Sequence, residues 1–336
     1  MLRWAETMCR PTVSVIIVNW NHGRLIGACL AALQAQEGVA FDITVVDNGS
    51  RDGSPQWIAR AYPDVYLWTF PDNRGFSHAL NAGIAQTQGA FVLSLNPDVT
   101  VRAGFLHVLA QAAEREPRVG MVAPKLLRAD APTRLDSSGL FIDRRRRPYD
   151  RGQGEVDGGH YDQRTHIFGA CGAAALYRRA MLEDVALDGE YFDEDFFAYY
   201  EDADLAWRAQ ARGWQCRYAP GAVATHVRGW GDTLRKGDAP VKDAAGPRLA
   251  WRNRYLMTLK NDAWRYVWRD LPWILGAEAP RIAYAAVKMP RALLGLWDLR
   301  QAGPIALRKR RLLRARQTVA DAVLRRWFVT VDGEDV

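Results

Sequence analysis

The sequence predicts an α/β protein: an open, mostly parallel sheet with helices on both faces, followed by a helical carboxyl-terminal extension. Three observations carry this. Residues 13–126 alternate short apolar runs with helical patterns, the mark of repeated βαβ units. The first run, Val13 to Asn19 (VSVIIVN), is a continuous β-branched stretch of the kind buried on both faces of a parallel sheet. Beyond about Arg248 strand alternation disappears while Trp and Arg accumulate, so the end of the chain reads as helical.

Each element has its own signal. After the first strand, Leu25, Ile26, Cys29, Leu30 and Leu33 recur at helical spacing. Ile43 to Asp47 is the second strand and runs into the turn formers Asn48-Gly49-Ser50 and Asp52-Gly53-Ser54. Val65 to Phe70 is the third, a helix follows from about Ser77 to Gln86, and Ala90 to Leu95 is the fourth strand. A helix over 103–115 and a strand at Val119 to Val122 complete the pattern. After Pro124 comes a loop-rich stretch, then the small, apolar run Phe168 to Arg178. A helix begins near Glu201, with Leu205, Trp207 and Ala209 as packing positions and Gly213 as its C-terminal cap. Gly231 to Gly246 is the most linker-like segment. The expected organisation is a tail over 1–12, a catalytic domain over 13–232 with halves 13–126 and 127–232, and a linker with amphipathic helices over 233–336.

With 336 residues the chain is long enough for a substantial core, and 49% hydrophobic with 25% charged residues is ordinary globular composition. Collagen, coiled coil and disulfide mini-protein are excluded. The first residues lack the apolar core of a secretory signal, and no stretch supplies the roughly 20 apolar residues of a membrane span, so a cytoplasmic protein is expected. Cys9, Cys29, Cys171 and Cys216 have no metal-ligand spacing and read as reduced and structural. The net charge of +7 gathers in Arg144 to Arg147 and along Arg308 to Arg316, a pattern suited to an anionic membrane surface or a nucleic acid. No zinc finger, RRM signature or helix-turn-helix spacing accompanies it, which leaves nucleic acid the weaker reading.

In an open parallel sheet, ligands collect beyond the carboxyl ends of the strands. Asn19-Trp20-Asn21, Asp47-Asn48-Gly49-Ser50 and Asn96-Pro97-Asp98 all fall there. Any one alone reads equally as a turn; three at one edge read as a site. The ordered set VSVIIVNWN, VVDNGSRDGS, NRGFSHALNAG, LNPD, FGACGAAALYRR, FDEDFFAYYEDADLAWR and THVRGWG resembles the inverting glycosyltransferases of family 2, and within them the rhamnosyltransferase-like branch, over roughly residues 12–232. The resemblance implies a GT-A fold and a nucleotide-diphosphate sugar donor.

The polar groups suit such a donor. Asp47, at the end of a buried strand, can accept hydrogen bonds from ribose or base, and Asn19 can flank the base. Asn73, Arg74 and the amides of the following helix can face a phosphate, although a surface salt bridge is the plainer role for Arg74. By the resemblance, Asn96-Pro97-Asp98 stands at the family's Asp-x-Asp position, with Asn96 in place of the first Asp, and Asp98 and His226 hold Mg²⁺ or Mn²⁺ against the diphosphate. A core histidine is the alternative for His226. The resemblance makes Asp202 the general base, with Glu201 in support. Helix capping is the competing role, yet Asp193 to Asp204 holds more acids than a helix start requires.

Phe168 to Ala175 reads as a lining of the acceptor pocket or as a packed core strand, and Arg144 to Arg147 as a solvated hairpin or a phosphate contact. Trp264, Trp268, Trp273, Trp297 and Trp327, interleaved with Arg and Lys, suggest helices lying on the inner face of the plasma membrane, or else packing on the main domain or across a homo-oligomer. The expected acceptor is a glycan, best a polyprenyl-diphosphate-linked one, and the resemblance leans toward deoxythymidine diphosphate (dTDP) rhamnose as donor, with galactofuranose, glucose and other sugars left open. A processive synthase is disfavoured by the missing spans and Gln-x-x-Arg-Trp sequence. A sugar nucleotidyltransferase is disfavoured because no Gly-rich basic loop follows the first strand. A binding-only pseudoenzyme is disfavoured because Asp47, Asp98, Asp202 and His226 are all present.

Overall fold

The computed structural model describes residues 12–228 and 245–329. The amino-terminal tail with Cys9 and nearly all of the linker-like segment lie outside the described residues. The first half runs β1 (Val13–Asn19), α1 (Ile26–Gln34), β2 (Phe41–Asn48), α2 (Ser54–Ala61), β3 (Tyr66–Phe70), α3 (Phe76–Ala85), β4 (Phe91–Leu95), β5 (Val99–Val101), α4 (Phe105–Glu114) and β6 (Val119–Arg128). Short strands β7 (Leu135–Ser137), β8 (Leu140–Asp143), β9 (Pro148–Asp150) and β10 (His166–Ile167) follow, then β11 (Ala174–Arg178), α5 (Arg179–Val185), α6 (Glu201–Ala211) and β12 (Gln215–His226). The end of the chain is α7 (Ala245–Asn261), α8 (Trp264–Lys288), α9 (Leu294–Arg316), α10 (Asp321–Leu324) and β13 (Phe328–Val329).

The main sheet has the order β10-β12-β6-β11-β4-β1-β2-β3, with β5 added to β12 and β7 to β6. Strands β4, β1, β2 and β3 are mutually parallel, so the turns after β1, β2 and β4 share one edge. The pleat of β1 sorts its side chains. Ile16 and Val18 join the core face shared by α3 and α6, and Val13, Val15 and Ile17 join the face covered by α1 and α4.

The carboxyl-terminal helices are not a detached appendage. Leu256 and Met257 of α7 enter the main core. Asn253 donates to the carbonyls of Phe196, Ala198 and Tyr199 at 2.8, 2.7 and 2.9 Å, clamping the loop before α6. Lys260, also on α7, lies buried between Asp193 and Asp204, 2.8 Å from the latter, and Lys309 of α9 meets Asp193 at 2.6 Å. Burial raises the Asp193 carboxyl but the two ammonium groups outweigh it, holding it well below the usual carboxylate range. Lys260→Ala would leave buried carboxylates short of a counter-charge, and a loss of about 3–5 kcal/mol in chemical unfolding is the expected result.

Three expectations about basic and aromatic residues change here. Arg144 to Arg147 forms the β8–β9 turn, but not a solvated one: Arg146 is buried and pairs with Asp262 and Asp270, both at 2.6 Å, and Arg144 pairs with Asp270 at 3.1 Å. The run from Arg308 to Arg316 docks α9 on the domain through Arg308 with Asp188, Lys309 with Asp193, and Arg316 with the Ala186 carbonyl, and of these Lys309 is buried. Trp327 is buried against Phe168 and His166, while β13 pairs with β8. Trp264, Trp268, Trp273 and Trp297 remain exposed.

Candidate active site

Strand register builds the first part of the site. Strand β5 pairs antiparallel with β12, Val99 opposite His226, and the Val227 N–H donates to the Asp98 carbonyl at 3.0 Å. This ladder sets His226 Nε2 3.4 Å from Asp98 Oδ1. That oxygen is buried and has no hydrogen-bond partner among the described residues, so the contact is a close approach of a carboxylate oxygen to a ring nitrogen rather than a formed bond. Strand β7, paired with β6, brings the fully buried Asp136 to the other imidazole nitrogen at 2.7 Å. Burial pulls the imidazole pKa down, yet Asp136 and Asp98 prevail and push it up to about 9.

The polar chain continues outward. Arg228 pairs with the second oxygen of Asp136 at 2.6 Å and also with Asp150 of β9. Asp98 and His226 therefore offer one carboxylate oxygen and one imidazole nitrogen side by side, the nitrogen backed by a carboxylate. This is the donor chemistry of a hard divalent ion whose remaining ligands come from a substrate. No group of three potential protein ligands lies together among the described residues.

The second part is the start of α6. Phe197, Tyr199 and Tyr200 all have positive φ, at 63, 72 and 72°, a rare strained run for bulky residues immediately before a functional helix. Tyr200 is the N-cap residue and makes no side-chain cap hydrogen bond, so it is Asp202 that takes a free N–H of the first turn, that of Ala203. Asp202 accepts the Gly172 N–H at 2.8 Å through Oδ2 and the Ala203 N–H at 2.7 Å through Oδ1. Burial pushes its carboxyl up to about 6 against these hydrogen bonds, and Asp150 adds to the rise. Burial, then the neighbouring Asp202, push Glu201 up to about 8, and Glu201 Oε2 is buried without a partner. Asp204 is occupied by Arg208 at 2.9 Å, Lys260 and Asn261, which makes it an anchor for α7 and no base.

Between the two parts runs the loop before β11. The Ala173 carbonyl accepts the Asn96 N–H at 2.8 Å while Gly172 holds Asp202, so one short stretch ties the β4–β5 turn to α6. A Cβ on Gly172 would stand 3.2 Å from Asp202 Oδ2. Burial raises the Cys171 thiol well above its usual range, with Asp150 and Asp202 adding to it, so Cys171 is no thiolate nucleophile.

The donor edge is more internally braced than the sequence implied. Asp47 is nearly fully buried, one oxygen accepting from Asn19 Nδ2 at 2.8 Å and the other from the Ser50 N–H at 3.0 Å. Asn19 is fully buried, and its amide nitrogen also reaches Ser54 at 2.8 Å, so it stands behind Asp47 rather than beside an open base site. Asn73 Oδ1 accepts from Gly75 N–H and Asn48 Nδ2, both at 2.9 Å, locking its turn to the end of β2. Gly75 sits at φ +91° with Phe197 where a Cβ would lie, at 2.7 Å, so glycine is required. Arg74 lies over the Phe70 ring and 3.6 Å from Asp72, the surface pairing the sequence left open, and the Ser77 amide is taken by the Phe197 carbonyl.

The family model described as "Glycosyl transferase family 2" matches residues 14–186, more than half of the chain, and "Glycosyl transferase family group 2" matches 159–295. The chain belongs to glycosyltransferase family 2. Among curated relatives of this glycosyltransferase is the N-acetylglucosaminyl-diphospho-decaprenol L-rhamnosyltransferase of Mycobacterium tuberculosis, 27% identical over 247 residues that span 63% of this chain and 75% of the relative. The fold is shared with Staphylococcus aureus TarS residues 1–349, solved with UDP-GlcNAc (TM-score 0.57, 19% identity, 91% of this chain and 87% of that one). It is also shared with a Pyrobaculum calidifontis mannosyltransferase solved with GDP-Man and Mn²⁺ (TM-score 0.50, 20% identity, 97% and 89%). The enzyme has the expected α/β architecture, with a mostly parallel central sheet. Sequence reasoning missed Asp136, Asp150 and Arg228. The only signal for the first was the pattern LDSSGLFID, two short strands around Gly139 inside a stretch that otherwise reads as loop.

Proposed function

We propose that this glycosyltransferase moves a sugar, with inversion, from a nucleotide-diphosphate donor to a polyprenyl-diphosphate-linked glycan in cell-surface polysaccharide synthesis. We take dTDP-rhamnose as the favoured donor because of the rhamnosyltransferase relative. The observation that carries the reading is the approach of Asp98 and His226, the latter backed by Asp136, at a β4–β5 turn that the Gly172–Ala173 stretch ties to the buried Asp202.

Asp47, held rigid by Asn19 and Ser50, accepts from the donor's nucleoside, and the Asn73–Arg74 turn and Asn96 border its diphosphate side. Asp98 and His226 would hold Mg²⁺ or Mn²⁺, which supplies positive charge to the departing diphosphate. Asp202, accepting two backbone N–H groups, is fixed in orientation and takes the proton of the acceptor hydroxyl as that oxygen attacks the anomeric carbon. Its raised pKa makes it a better proton acceptor than an exposed Asp while leaving it mostly ionised at pH 7. Glu201, still protonated there, keeps a second negative charge away from the same site. Asp136 fixes the imidazole with Nε2 toward Asp98. Asp136→Asn should lower Mn²⁺ affinity by about 10- to 100-fold in calorimetric titration, with the fold retained.

The exposed aromatic residues of α8 and α9 support residence on the inner membrane surface. Trp268 is 70% and Trp297 65% exposed, with Leu275, Tyr284, Val287 and Leu294 also open to solvent. No described helix is long and apolar enough to cross a membrane. Truncating these helices would strip Lys309 from Asp193 and Asp270 from Arg146, so point substitution is the cleaner test. Trp268→Ser with Trp297→Ser should reduce cosedimentation with phosphatidylglycerol vesicles several-fold while donor hydrolysis stays unchanged. Unchanged sedimentation, together with a shift in oligomeric mass, would favour a subunit interface. The function itself is tested by supplying nucleotide sugars with a polyprenyl-diphosphate-linked acceptor and Mg²⁺ or Mn²⁺, and looking for glycolipid product.

A further inference from the structure

The arginines around the β8–β9 turn are neutralised unequally. Arg144 and Arg146 pair with Asp270, Arg146 also with Asp262, Arg325 with Asp270, and Arg254 with Glu278. Arg145 and Arg147 form no ion pair among the described residues; the nearby Asp143 carboxylate accepts their backbone N–H groups instead, both at 2.8 Å. Arg145 and Arg147 border a cavity of about 370 Å³ against α8, whose Arg281 also lines it. Arg281 shares Glu278 with Arg254, at 3.2 Å, so it is only partly compensated.

The opposite wall is built for an apolar group. Pro272, Gly276 and Pro280 recur every four residues and line one face of α8, with Trp273 beside them. A Cβ on Gly276 would meet nothing within 4 Å, so this floor is open and almost free of long side chains. Three cations above an apolar, proline-rich floor match an anion joined to a hydrocarbon.

The position of the cavity also matters. Arg147 immediately precedes β9, whose Asp150 pairs with Arg228. Tyr200, the residue before Glu201, feels the charges of both Arg147 and Asp202. Trp268 and Tyr284, four residues before Pro272 and four after Pro280 on α8, are exposed to solvent.

We infer that this cavity seats the diphosphate of the polyprenyl-linked acceptor, with Arg145, Arg147 and Arg281 on the phosphate oxygens and Trp273 and the α8 floor against the first isoprene units. The inference rests on the lipid-linked reading of the acceptor and names where its headgroup binds. The sugar that follows the diphosphate then extends toward Asp202, while the hydrocarbon leaves along α8 toward the membrane surface.

The test uses the full chain and needs neither a sugar nor a transfer. Farnesyl diphosphate binding is titrated by calorimetry to the wild type and to Arg145→Gln/Arg147→Gln, alongside farnesol, UDP or dTDP with Mn²⁺, and vesicles of phosphatidylglycerol with phosphatidylcholine. The double substitution should weaken farnesyl diphosphate binding at least about tenfold. Nucleoside diphosphate binding, vesicle partition and melting temperature should not move. Unchanged farnesyl diphosphate affinity, or no binding by the wild type, would overturn the assignment. So would a parallel loss of vesicle binding, which makes the arginines a general anionic-lipid surface, or farnesol binding as tightly as its diphosphate. Arginine-dependent farnesyl diphosphate binding without transfer to any lipid-linked glycan would leave this site standing and remove the proposed acceptor instead.

Discussion

Asp202→Asn should lower kcat by at least roughly a hundredfold, because a positioned base contributes about 10²- to 10⁴-fold and an acceptor hydroxyl is a poor nucleophile at neutral pH. The substitution keeps one of the two backbone hydrogen bonds and loses the other, while removing a buried charge. These effects oppose each other, so donor affinity and melting temperature should change little. The wild-type rate should rise as pH passes through about 6, where the Glu201–Asp202 pair yields its first proton. Glu201→Gln is the control. Its folded pKa, about 8, lies above the ordinary 4.5, so any stability it lends is complete below pH 4.5 and is lost as pH rises through 8. The Gln variant should therefore gain stability relative to wild type above pH 8, and lose less activity than Asp202→Asn. Near-normal turnover in Asp202→Asn would move the base elsewhere. Asp204 is excluded by its three partners, which makes Asp195, 2.8 Å from Lys309, the next acid of that stretch to test.

Asp98→Asn should be as severe. It removes the one carboxylate facing His226 Nε2, and with it the charge that balances a divalent ion against the leaving diphosphate. Transfer should fall at least roughly a hundredfold, and EDTA should do the same to the wild type. Circular dichroism should be unaltered, since no side-chain hydrogen bond within the fold depends on that carboxylate among the described residues. Full activity in chelator, with the protein shown free of metal by elemental analysis, would remove the ion from the account.

The amino-terminal half was legible because its physics is local. Continuous β-branched runs and helical spacing mark β1 to β6, and the turn residues at their carboxyl ends follow from strand direction alone. Strand β6 is longer than Val119 to Val122 because its second half is held by β7 and β12, which no local pattern near it reveals. The hairpin arginines were misjudged for the same reason. Arg146 is buried only because Asp262 and Asp270 arrive from more than a hundred residues away. Trp327 likewise looked interfacial by composition and is core by contact. At the site, Asp98, Asp202 and His226 could be named from the resemblance. Asp136 could not, because its role depends on β7, a three-residue strand whose partner is supplied by the sheet. Asn19 shows the converse: a correct position at the strand end, but a side chain turned inward to brace Asp47.

The most direct test of the central claim is the anomeric configuration of the product. Purified enzyme with Mg²⁺ or Mn²⁺, dTDP-rhamnose or the nucleotide sugar it accepts, and a short-chain polyprenyl-diphosphate-linked N-acetylglucosamine should give a glycolipid whose new linkage, read by NMR, is opposite in configuration to the donor. A product that retains the donor's configuration would contradict single displacement with Asp202 as base.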